Sequence, residues 1–84
     1  MLLYKRMVMR MEKIVLEYPT FEEVKKAVEK TPDIIEITFR SKEDNASELE
    51  IMYYLVNCTD YFFESLTPID ESRTNFLAHF KRKS

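Results

Sequence analysis

The chain has 84 residues, 45% of them hydrophobic, and a formal net charge of −2 at pH 7. That length sets the expectation of one domain near the lower limit for an unstapled core, and no apolar run approaches the ~18 residues of a membrane span. Met1–Arg6 is too short and too early in charge for a signal peptide, and Cys58 stands alone, so a cytoplasmic, reducing location is expected.

The chain contains no Gly, where average usage gives about six. This removes the phosphate-binding loop, the GxGxxG turn and the nucleophile elbow together. Absent Gln beside abundant Lys and Glu points to a thermophile or an archaeal virus as the source, although an AT-rich genome gives much the same composition. The charge is unevenly spread. All 15 acidic residues lie from Glu12 to Glu71 and seven of the 13 basic ones from Lys13 to Arg73, so the body, residues 12–73, carries −8. The other six, Lys5, Arg6, Arg10, Lys81, Arg82 and Lys83, sit at the two ends.

Glu12 to Tyr18 alternates, with Ile14, Leu16 and Tyr18 against Lys13, Val15 and Glu17, and predicts a strand. Upstream, Met7, Met9 and Met11 share the opposite parity. Residues 1–10 therefore read either as an edge strand joined through a bulge or as a terminal extension. Thr20 with Glu23 forms a capping-box pattern, and Phe21, Val24, Ala27 and Val28 make the apolar stripe of a helix that Thr31-Pro32 stops. Asp33 to Arg40 alternates again as a second strand, and 41–47 is a polar loop.

Residues 48–56 support two readings. As a strand, Leu49, Ile51, Tyr53 and Leu55 oppose Glu48, Glu50, Met52, Tyr54 and Val56. As a helix, Ser47 and Glu50 make a capping box while Leu49, Met52, Tyr53 and Val56 form a stripe. The aromatic and β-branched content favours the strand. Asn57 to Asp60 then turns into a further strand, Tyr61 to Leu66. Thr67 and Pro68 read as the start of a final helix with Ile69, Phe76, Leu77 and Phe80 inward. Its acidic start (Asp70, Glu71) and basic end (Lys81-Arg82-Lys83) complement the macrodipole. The expected fold is α+β, in the order (β)-β-α-β-β-β-α, with a mainly antiparallel sheet of roughly three to five strands against two helices.

Cys58, Asp60 and His79 are the residues that can imitate a thiol nucleophile with its base and orienter. No family signature surrounds Cys58, and a lone cysteine is ordinarily a small hydrophobe, so no catalytic residue is assigned and no enzyme is expected. One Cys and one His fall short of a structural zinc site, and Asp44-Asn45 lacks the spacing and glycine of a calcium loop. Met7, Met9 and Met11 alternate like a soft copper array but are read as packing. No metal or other cofactor is expected.

Two helices cover one face of such a sheet. The strand reading leaves Val15, Ile34, Met52, Tyr54, Val56 and Phe62 on the other, more apolar surface than a monomer normally tolerates. Unless the N-terminal segment folds back over that face, the expected function is a non-enzymatic protein-interaction or regulatory module, with a second copy or another protein as partner. One alternative is an acidic nucleic-acid mimic inhibiting a nuclease or CRISPR-type complex, in the manner of small viral inhibitors. Glu36, Glu43, Asp44, Glu48, Glu50, Asp60 and Glu64 would carry it. The other is a nucleic-acid-binding protein using Lys5, Arg6, Lys81, Arg82 and Lys83, which the acidic body disfavours.

Overall fold

Period-two alternation yields strands and the capped apolar stripe yields a helix, in the order β1 (Lys13–Glu17), α1 (Phe21–Glu29), β2 (Ile34–Arg40), α2 (Ala46–Cys58), β3 (Tyr61–Pro68) and β4 (Asn75–Arg82). The computed structural model describes residues 11–40, 46–72 and 74–83. The readings placed on residues 1–10 and on Glu43, Asp44 and Asn45 lie outside them.

The capping box at the start of α1 forms as the sequence implies. The Glu23 amide donates to Thr20 Oγ1 at 3.2 Å, and the Thr20 amide donates to Glu23 Oε1 at 2.9 Å. At its other end the chain turns through Thr31 at φ 49°, while the Lys30 and Thr31 amides donate to the carbonyls of Ala27 and Val28. That left-handed position normally takes glycine, and here a β-branched residue fills it.

The four strands form one sheet in the order β1-β2-β4-β3. β1 and β2 are parallel, joined across α1, and the β2–β4 and β3–β4 pairs are antiparallel. Among the described residues the fold is α+β and mainly antiparallel, with two helices, as expected. Val24 and Ala27 of α1 and Ile51 and Leu55 of α2 are buried together with Ile35, Ile37 and Phe39 of β2, Tyr61 of β3, and Ala78 and Phe80 of β4. Both helices thus lie on one face of the sheet.

Two elements differ from expectation. Residues 46–58 form a helix, not a strand. Ala46, Glu48, Leu49, Glu50, Met52 and Leu55 are strong helix formers, and Ile51 and Val56 are the only β-branched residues there. The second helix is therefore α2, while the C-terminal segment expected to be helical pairs as the end of β3, a turn and β4. There Phe76, Ala78 and Phe80 alternate with Leu77, His79 and Lys81, which suits a strand buried on one side. Asp70 belongs to the turn and not to a helix start. Its carboxylate accepts from the Thr74 amide at 3.1 Å and from Asn75 Nδ2 at 2.7 Å.

Both ends of the sheet are tied. At one, Asp33 accepts from the Glu12 amide and from Arg82 Nη2, Arg82 Nη1 donates to the Thr31 carbonyl, and the Tyr61 hydroxyl donates to the Pro32 carbonyl. At the other, the Arg40 guanidinium lies 4.4 Å from the Tyr18 ring centroid, and the Tyr18 hydroxyl donates to Asn75 Oδ1 at 2.9 Å.

Candidate functional site

Strand register fixes what the face without helices presents. One row across it runs Lys13, Ile34, Lys81 and Phe62, and the next runs Val15, Glu36, His79 and Ser65. An irregularity between Phe63 and Ser65 inserts Glu64, and Glu64 joins the second row through its side chain. His79 Nδ1 lies 2.9 Å from Glu36 Oε2 and His79 Nε2 lies 3.1 Å from Glu64 Oε1, while Lys13 Nζ lies 3.5 Å from Glu36 Oε1. Each of the four strands gives one side chain to this ladder. Such partly exposed pairs stabilise a sheet by about 0.2–1 kcal/mol each.

This geometry separates the residues grouped from the sequence. Val15, Ile34 and Phe62 lie on the open face, interleaved with Lys13, Lys81 and the Glu36–His79–Glu64 row. Met52, Tyr54 and Val56 lie on α2, across the sheet from them. Met52 and Tyr54 are half-buried against the core, and Tyr54 packs edge-on to Phe21 of α1 with centroids 5.0 Å apart. The six therefore do not form one apolar face.

Cys58 ends α2 in the helix layer, exposed, whereas His79 is on the opposite face with both ring nitrogens beside carboxylates. Cys58, Asp60 and His79 are not brought together as a triad. The acidic residues divide likewise, with Glu36 and Glu64 against His79 and Glu48 and Glu50 on α2. Of the C-terminal bases, Lys81 is on the open face, Lys83 is exposed, and Arg82 is engaged with Thr31 and Asp33. Lys5 and Arg6 lie outside the described residues. Among the described residues no group of three or more His, Cys, Asp or Glu is placed to hold a metal ion, and no helix is long and apolar enough to cross a membrane.

Among the described residues, exposed large apolar side chains concentrate on α2 and β3. Leu49, Tyr53 and Val56 are 60%, 66% and 38% exposed. Their i, i+4, i+7 spacing makes one stripe along α2, whose other side buries Ile51 and Leu55. Beside it runs a groove of about 310 Å³ lined by Phe39, Arg40, Glu48, Leu49, Met52, Leu66 and Phe76. Phe63 and Leu66 of β3, an edge strand, continue the apolar surface. The strand reading missed Leu49 and Tyr53 by placing them with Ile51 and Leu55 on one face. The helical stripe of Leu49, Met52, Tyr53 and Val56 was the signal that finds them.

In the described residues these features define a small α+β fold with a mixed four-stranded sheet, two helices on one face and an apolar flank at the α2–β3 side. Compared with protein-family models, curated proteins and solved structures, the chain matches none.

Proposed function

We propose that the chain is a non-enzymatic protein-interaction module that docks through the outer flank of α2 and the groove beside it. The supporting observation is the exposed stripe of Leu49, Tyr53 and Val56 on a helix already anchored by its other side. Single exposed apolar residues need no explanation, but a contiguous patch at this spacing is what interfaces use. An aromatic ring flanked by aliphatic side chains and an apolar groove suits an anchor-in-pocket contact. The open sheet face serves less well, because charged residues interrupt its apolar ones. The division of acidic residues between two sides likewise favours docking through α2 over mimicry of a nucleic-acid backbone.

A photo-reactive phenylalanine analogue at position 53 tests the reading in cells producing the chain. Position 53 should give protein adducts, while position 22, on the solvated side of α1, should give none. Equal yields from both positions, or no adduct from either, would remove it.

A further inference from the structure

We infer that the occupant of this flank is a second copy of the chain, packed α2 against α2 in antiparallel orientation about a two-fold axis near Tyr53. The inference rests on the reading of the flank as a docking surface and adds the identity of the partner.

The stripe is self-complementary. Tyr53 stands between Leu49, four residues earlier, and Val56, three later. A two-fold axis at Tyr53 brings Leu49 of each copy onto Val56 of the other, larger side chain against smaller, as an isologous interface requires.

Charge selects the orientation. Within α2 the charged residues are Glu48 and Glu50, both before the stripe's centre, and the helix has no basic residue. Parallel packing would stack these carboxylates on their own copies. At 1.5 Å per residue, the antiparallel arrangement separates the two Glu50 side chains by roughly 9 Å along the axis and the two Glu48 by roughly 15 Å, about a Debye length or more. It also opposes the helix dipoles. The stripe of Leu49, Met52, Tyr53 and Val56 carries no charge itself, with Arg40 and Glu48 lining the groove beside it, and an equally neutral apolar stripe is what the chain itself supplies.

The area is sufficient. Leu49, Tyr53, Val56, Phe63 and Leu66 are each between about a third and two thirds exposed. With the two aromatic side chains at about 150–250 Å² each and the Leu and Val side chains somewhat smaller, the exposed parts sum to roughly 500 Å² per protomer. The pair then buries on the order of 1,000 Å² before its polar rim is counted, the level at which specific interfaces begin.

Sedimentation equilibrium from about 1 to about 200 µM brackets the affinity of an interface of this size. The wild-type chain should pass from 10.2 kDa to twice that mass. Tyr53→Lys should weaken association by at least roughly tenfold with unchanged circular dichroism and, at concentrations where both proteins are monomeric, an unchanged Tm, because Tyr53 is exposed and its removal leaves the core intact. Val15→Lys, on the open sheet face, should leave association unchanged. In a Cys58→Ser background, Tyr53→Cys should oxidise to a disulfide dimer, since residue 53 meets its own copy at the axis, and Glu22→Cys should not. A chain that stays monomeric throughout, or a dimer that Tyr53→Lys does not weaken, overturns the inference. Position-53 adducts to a different protein would then leave the docking reading standing, whereas failure of every adduct would take both.

Discussion

The Tyr61 hydroxyl is a defined test of how the fold is held. Tyr61 is 2% exposed and its hydroxyl donates to the carbonyl of Pro32, itself fully buried. This bond ties the start of β3 to the bend between α1 and β2. Tyr61→Phe keeps the ring and its packing and removes only the donor. A hydrogen bond contributes about 1 kcal/mol net, and a buried carbonyl left without its partner adds a desolvation cost of about 1–3 kcal/mol. The expected loss is therefore about 2 kcal/mol, which lowers the Tm of a domain this size by roughly 10 °C.

The loss should depend on pH in a set direction. Burial raises the phenol's pKa above 10.0, the Arg82 guanidinium offsets part of this, and Asp33 and Asp60 add to it. A folded-state pKa above the unfolded one means the contribution is complete below pH 10 and is lost as pH rises through the raised value. The slope of wild-type stability from this one proton reaches at most about 1.4 kcal/mol per pH unit. Urea unfolding of both proteins from pH 7 to pH 11 reads the difference. The gap should stay constant to about pH 10 and shrink above it. A gap below about 0.5 kcal/mol at pH 7, or one unchanged through pH 11, would refute the reasoning.

Thr31 holds φ 49° with a β-branched side chain, where Asn is better tolerated, so Thr31→Asn should stabilise by about 0.5–1 kcal/mol, seen as a higher urea midpoint at unchanged m. Arg82→Met keeps the apolar stem but removes the donors to the Thr31 carbonyl (2.6 Å) and Asp33 (2.8 Å). With solvent screening discounted, it should cost about 1 kcal/mol in thermal unfolding. Hydrogen bonds from the Asn75 side chain foremost, then from Thr74 and Ser72, hold the Asp70 carboxyl below its ordinary 3.8. Its contribution is present above that value and lost as pH falls through the lowered one. Asp70→Ala should therefore weaken amide-exchange protection of Ile69, which donates to the Asn75 carbonyl, at neutral pH and match wild type once the carboxyl is protonated.

Local rules carried far where only one element fitted the pattern. Thr20 and Glu23 mark the start of α1 because each satisfies the other's amide, a bargain closed within four residues. Ile35, Ile37 and Phe39 mark β2 because their alternation has no helical counterpart. The pattern fails at 48–56, where apolar residues satisfy both periods, and only contact with α1 and the sheet decides between them. At the C-terminus, Asp70-Glu71 and Lys81-Arg82-Lys83 imitate the charged ends of a helix. The carboxylate of Asp70 instead closes a turn, and Arg82 reaches Thr31 and Asp33, about fifty residues back in sequence. The Glu36–His79–Glu64 ladder could not be read from spacing either, because it depends on β4 inserting between β2 and β3.

The two helices make the case for docking by contrast. On α1 the side turned to solvent carries Glu22, Lys26 and Glu29, as an amphipathic helix with nothing over it should. On α2 the corresponding side carries Leu49, Tyr53 and Val56, which the packing of the described residues leaves exposed. Folding does not require this difference, since Ile51 and Leu55 already anchor α2 and the outward positions would accept Glu or Lys as readily as α1 does. The same residues made the segment ambiguous in sequence, because a helix apolar on two opposite sides resembles a strand buried on both. Ambiguity and exposed stripe then share one physical cause: α2 is written for contact on two sides, and the described residues provide only one of them.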